Sequence, residues 1–142
     1  MRLACLTLAA ALSASAADPK IEIDAWGGPA PGAEAVRGIP GLPFEYVTPR
    51  LTVLLPEPGK RNGAFVLVVP GGGYMYCSAM GGEGFQAAEW LRDRGIGAAV
   101  LQYRRNIFQD KDKNLNRVYD ANVALEDAMR SMRIVRSHAG EW

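Results

Sequence analysis

Ala64-Phe65-Val66-Leu67-Val68-Val69, followed directly by Pro70-Gly71-Gly72-Gly73-Tyr74, is the stretch that decides the fold. An unbroken apolar run of strand length has no polar face to show to water. It therefore predicts a strand covered on both faces, as in a parallel sheet. The glycines that follow let the backbone turn at positive φ and leave N–H groups with no side chain in the way.

Working outward toward the C-terminus, Glu83 to Arg94 predicts a helix. Phe85, Ala88 and Leu91 fall at core spacing, Glu83 sits at the positive end of the helix, and Gly95 is its stop signal. Ile96 to Tyr103 predicts a second buried strand, whose Gly97-Ala98-Ala99 implies close packing against a helix. Gln109 to Arg117 mixes charges of both signs and predicts a solvated loop. Val118 to Ser137 predicts a long helix with Val118, Ala121, Leu125, Ala128, Met132 and Val135 as its apolar stripe. Glu126 and Arg130 would pair on its polar side, and Asp120 and Asp127 are assigned to its start and exposed face. Buried strands alternating with helices predict an α/β fold with a mostly parallel sheet, in which a further central strand is expected after the last helix.

Toward the N-terminus, residues 24 to 63 are dense in Pro and Gly, with turn clusters at Trp26-Gly27-Gly28-Pro29 and Pro40-Gly41-Leu42-Pro43. Phe44-Glu45-Tyr46-Val47 and Leu51-Thr52-Val53-Leu54-Leu55 predict short strands. The second is bounded by Pro49 and Pro56, and the two are expected to be edge strands joined by a tight connection. The first 16 residues form a separate object: Arg2, the apolar run Leu3 to Leu12, then Ser13-Ala14-Ser15-Ala16-Ala17. This is the pattern of a secretory signal peptide cleaved near Ala16 or Ala17, too short to remain as a membrane span. A secreted or periplasmic location is expected. Cleavage would remove Cys5 and leave Cys77 alone, so no disulfide is expected within the mature chain.

The chain has 142 residues, 49% hydrophobic and 22% charged, with a formal net charge of +1. That is globular composition with enough apolar material for one domain. It lacks the basic excess that a nucleic-acid or anionic-membrane partner requires, and no such partner is expected, nor a membrane after signal cleavage.

N–H groups presented at the C-terminal end of a parallel strand are what an oxyanion hole needs; a glycine-rich connection without a ligand gives the same five residues. A P-loop is excluded because no lysine lies between Gly71 and Gly84. Gly82-Glu83-Gly84-Phe85-Gln86-Ala87 matches a dinucleotide fingerprint, with Arg104-Arg105 placed to read a 2′-phosphate, yet it begins too far beyond Val69 to form that turn. No G-x-S-x-G is present, and Ser78 and Ser131 lack its strand-to-helix elbow. Cys77 and His138 could form a dyad only if His138 turned inward from a helix end that favours a solvent-facing cation. No His, Cys or carboxylate cluster has metal-ligand spacing, and no cofactor is implied. A non-enzymatic secreted domain binding carbohydrate or a partner through Trp26, Tyr74 and Tyr76 is the other class of reading.

Taken in order, Val68-Val69-Pro70-Gly71-Gly72-Gly73-Tyr74, Glu83-Gly84, Glu89-Trp90-Leu91, Arg94-Gly95-Ile96, Leu101-Gln102-Tyr103-Arg104, Glu126-Asp127-Ala128-Met129-Arg130, Arg133-Ile134-Val135-Arg136 and Glu141-Trp142 resemble the secreted α/β-hydrolases of the acetyl-xylan-esterase and lipase-like group. The resemblance covers about Pro49 to Trp142, after a signal peptide (1–16) and a Pro/Gly-rich segment (17–48). It implies a partial α/β-hydrolase domain with strand order first, second, fourth, third, in which 64–69 and 96–103 run parallel. It implies that Gly72 and Gly73 supply oxyanion-hole amides and that Tyr74 lines the substrate pocket. The substrate would be a small-molecule or polysaccharide ester, attacked by a serine through an acyl-enzyme. The family's nucleophile elbow, acid and histidine follow the region matched here. The chain is therefore expected to be the N-terminal part of such a hydrolase and to be inactive alone.

Overall fold

The computed structural model describes residues 20–43, 46–112, 114–119 and 122–142. The signal-peptide reading of 1–16 and the Phe44-Glu45 half of one expected strand lie outside them, as do Asp120 and Ala121.

A four-stranded mixed sheet forms the centre. Its strands are β1 (Ile21–Asp24), β2 (Arg50–Leu54), β3 (Phe65–Val68) and β4 (Gly97–Gln102), in the order β1-β2-β4-β3. β3 and β4 are parallel, with Val66 opposite Ala98 and Val68 opposite Val100. β2 runs antiparallel to both β1 and β4. The expected order and the parallel pair are thus present, but the first strand is Ile21–Asp24; Tyr46 and Val47 instead lie in a turn. Nor is β2 an edge strand. Pro49 and Pro56 flank its ladder without interrupting it, so Leu51, Val53 and Leu54 are buried between two neighbours.

β4 is the strand truly covered on both faces. Ala98 and Val100 pack with Ala88 of helix α1 (Phe85–Arg92), whereas Ala99 and Leu101 pack with Ala124 and Val135 of helix α2 (Val123–Ser137). Alternate residues of one strand thus face two helices, which makes a three-layer arrangement. The small residues of β4 permit it: a Cβ on Gly97 would lie 2.5 Å from the Phe65 ring. β3, expected to be covered on both sides, is only partly so, with Val66 38% exposed. It has a single strand neighbour among the described residues.

Two further elements correct the expectations from sequence. The 109–117 region holds most of an antiparallel hairpin, β5 (Ile107–Gln109) and β6 (Leu115–Arg117). Its turn is built on Asp110, whose carboxylate accepts from the Asp112 and Asn114 N–H groups and from Asn116 Nδ2. α2 begins at Val123 rather than Val118, with Asn122 as its cap, and its buried face is Val123, Ala124, Asp127, Ser131 and Val135. Leu125, placed on the apolar stripe from sequence, is 55% exposed.

The cause of that rotated face is Asp127, which is fully buried rather than exposed. It accepts Nε and Nη2 of the equally buried Arg104, the Arg104 backbone N–H at 2.9 Å, and the Trp26 indole N–H at 2.8 Å. Arg104 Nη1 donates on to the Pro31 carbonyl. Burial alone would lower the guanidinium pKa, but the hydrogen bond and charge of Asp127 outweigh it and the group is held above its ordinary value. Arg130 does not pair with Glu126 as expected. Its Nε donates to the Ala25 carbonyl, and Glu126 lies 3.6 Å from Arg104. This knot ties the N-terminal segment, the end of β4 and α2 into one body.

No helix among the described residues is long and apolar enough to cross a membrane.

Candidate functional site

β3 delivers the chain to Pro70 and the glycine loop, and the loop's hydrogen bonds are one-sided. The Pro70 carbonyl accepts from the Tyr103 hydroxyl at 2.8 Å. The Gly71 carbonyl accepts from Ser78 N–H, and the Gly72 carbonyl from Met75 N–H and Tyr76 N–H. Acceptors are therefore turned inward. The Gly71 N–H is held at 3.1 Å by the Glu83 carboxylate. Among the described residues, neither the Gly72 nor the Gly73 N–H has an acceptor.

This conformation depends on glycine. Gly72 has φ 137° and Gly73 φ 60°, both in the region that disfavours side chains. A Cβ on Gly72 would overlap the Tyr76 carbonyl, whereas one on Gly73 would meet nothing. Tyr74 continues the turn at φ 60°, an uncommon conformation for a residue with a side chain. It is held there by its ring edge against Tyr103 and by its carbonyl, which accepts Ile107 N–H from β5.

Gly71 to Tyr74 form one wall of a cleft of about 390 Å³. Asn122, Ala124, Leu125 and Ala128 at the start of α2 form the other, with Val69 and Tyr103 also lining it. The three residues singled out from sequence, Gly72, Gly73 and Tyr74, thus come together in one place. Leu125, lost from the core, serves as cleft wall. Tyr103 was legible only as part of a strand, because nothing in a sequence shows that a strand-end hydroxyl reaches back to a loop carbonyl. The cleft can present two uncommitted N–H donors beside an apolar surface, which suits a small group carrying an oxygen that gains negative charge.

The competing sites are not assembled. Trp26 spends its indole N–H on Asp127, and neither it nor Tyr76 lines the cleft that Tyr74 lines. Arg104, which would have to reach a 2′-phosphate in a dinucleotide site, is fully buried. Cys77 Sγ lies 3.7 Å from the Leu101 carbonyl, and burial pushes its thiol pKa up, away from nucleophilic thiolate. His138 does not stand free in solvent as expected: its ring stacks on Trp142 and its Nδ1 lies 3.0 Å from the Ile134 carbonyl. Among the described residues no three His, Cys, Asp or Glu are grouped to hold a metal ion.

No protein-family profile matches the chain. An acetylxylan esterase of Xylanibacter ruminicola is 32% identical over 93 residues, 66% of this chain and 16% of that protein. The crystal structure of an acetyl ester-xyloside bifunctional hydrolase from Caldicellulosiruptor lactoaceticus superposes with a TM-score of 0.58 at 26% identity, covering 85% of this chain and 37% of that one. The chain thus spans well under half the length of either. Over the region it shares with them, in sequence and in fold, this chain is esterase-like.

Proposed function

We propose that this chain is the oxyanion-loop part of a secreted carboxylic-ester hydrolase of the α/β-hydrolase kind. The complete enzyme removes acetyl or similar groups from a plant polysaccharide such as xylan through a serine acyl-enzyme. Gly72 and Gly73 N–H groups receive the oxyanion, and Tyr74 lines the acyl or sugar side of the cleft. The nucleophile, acid and histidine lie outside residues 1–142, and residues 1–16 direct export.

One observation carries the reading: the loop carbonyls of Pro70, Gly71 and Gly72 are all bound internally, while the Gly72 and Gly73 N–H groups, on residues of a cleft wall, have no acceptor among the described residues. Such donors are already oriented, so they need no rearrangement when charge develops. β3 at the sheet edge supports it further, since a strand leading to a G-x-S-x-G elbow would pair there and bring its serine to the glycine loop.

The test is the reading frame downstream of the Trp142 codon and its product. The proposal expects a strand-like segment followed by G-x-S-x-G, and hydrolysis of p-nitrophenyl acetate by the extended protein. In that protein Gly73→Val should lower kcat about 10²-fold or more with little change in KM, because the amides act in the transition state. A stop codon with no such frame, or an unchanged kcat in Gly73→Val, would each contradict it.

A further inference from the structure

The Pro70 carbonyl and the Gly71 N–H belong to one peptide unit, and both are held by side chains from other elements: the first by the Tyr103 hydroxyl at the end of β4, the second by the Glu83 carboxylate before α1. We propose that Tyr103 and Glu83 act as a two-ended clamp on this peptide plane and are the positioning residues that aim the Gly72 and Gly73 N–H groups, an inference that rests on the oxyanion reading above.

The argument begins with what glycine lacks. Three successive glycines carry no Cβ to restrict φ and ψ, so rotation of a peptide plane within the loop meets little intrinsic resistance. The planes that carry the Gly72 and Gly73 N–H groups are held at their carbonyls by the N–H groups of Ser78, Met75 and Tyr76, and what ties that turn to the rest of the fold is the plane before it, between Pro70 and Gly71. In a trans peptide the C=O and N–H point in opposite directions, so holding both ends fixes the plane, whereas one bond alone leaves it a hinge. Tyr103 is suited to its end: it is buried, and burial raises its hydroxyl pKa, keeping it a protonated donor. Glycine at residue 71 leaves the carboxylate room for this approach, since a Cβ there would lie 2.9 Å from Glu83 Oε2 and the side chain would have to shift. That contact gives Gly71, whose own N–H is committed to the clamp, a role different from that of its two neighbours. Glu83 is also exposed, so its substitution leaves the core intact.

The test uses the full chain, ¹⁵N-labelled, with methylphosphonate as a tetrahedral oxyanion probe. In the unsubstituted chain the Gly72 and Gly73 amide signals should shift saturably. Glu83→Ala and Tyr103→Phe should each weaken the probe's dissociation constant at least fivefold, with the β4 amides of Ala98 to Leu101 unmoved. Glu83→Gln should stay within twofold of the unsubstituted chain, because its amide oxygen can accept the same N–H. Glu83→Ala and Glu83→Gln remove the same charge, so a difference between them reports the acceptor and not electrostatic repulsion of the probe. If the unsubstituted chain binds and Glu83→Ala matches Glu83→Gln, the clamp is overturned while the oxyanion reading stands. If Gly72 and Gly73 do not respond in the unsubstituted chain, the oxyanion reading fails and takes the clamp with it.

Discussion

Gly72 and Gly73 are neighbours with the same side chain and different constraints. At Gly72 an added methyl group meets the Tyr76 carbonyl and a φ of 137° together, so Gly72→Ala should destabilise the chain by about 2–4 kcal/mol and rearrange the loop. At Gly73 there is room and only the backbone objects, so Gly73→Ala should cost about 1–2 kcal/mol and leave the loop's hydrogen bonds in place. Urea unfolding of both variants separates the two; equal losses would contradict the geometry. Asp127 makes a sharper case. Asp127→Ala strands a buried guanidinium and should cost about 3–5 kcal/mol, while Arg104→Met with Asp127→Leu should recover most of it. Recovery should be incomplete because the Trp26 N–H loses its acceptor. Cys77 differs again: its thiol pKa is raised first by burial, and backbone hydrogen bonds only partly oppose this. The folded state therefore holds that proton more tightly than the unfolded chain. The resulting stabilisation is full below the ordinary pKa of 9.0 and is lost as pH rises through the higher folded value. Iodoacetamide should accordingly label Cys77 in folded 17–142 at pH 8 about tenfold more slowly than in urea. Equal rates would show the thiol to be free.

At the scale of elements, the strand-to-glycine junction at Val69-Pro70-Gly71 and the small-residue face of β4 were both legible, because a continuous apolar run and a Gly-Ala-Ala cluster have few other uses. The phase of α2 was not. Periodicity assigns Leu125 to the core and Asp127 to solvent, since a lone aspartate on a helix is ordinarily exposed. Only its partner, Arg104, separated by 23 residues, reverses the assignment. The β5–β6 hairpin was hidden for a related reason: its turn is set by Asp110 accepting from residues 112, 114 and 116, a local network that charge composition reads as a loop. β1 was missed because Ile21-Glu22-Ile23-Asp24 is too short to stand out before its pairing with β2 is known. β3 carries a prediction of its own. With one strand neighbour among the described residues and with Val66 and Val69 exposed, it offers unpaired backbone groups to other chains. Sedimentation velocity on 17–142 should show self-association that Val66→Lys reduces. A monomer with a sharp thermal transition before any substitution would contradict the open-edge argument.

For the whole molecule, the Arg104–Asp127–Trp26 knot joins the N-terminal segment to β4 and α2, so the sheet, both helices and the glycine loop form one body. Among the described residues, that body supplies acceptor-free amides and an apolar cleft wall, and no serine lines the cleft. An oxyanion hole stabilises an intermediate only after a nucleophile has attacked. The most direct measurement is the hydrolysis of p-nitrophenyl acetate by purified 17–142 beside its Cys77→Ala variant. The account predicts no burst and no turnover above the Cys77→Ala control, apart from slow acylation of the thiol itself. Sustained turnover in both proteins, abolished by a serine-directed organophosphate, would contradict it.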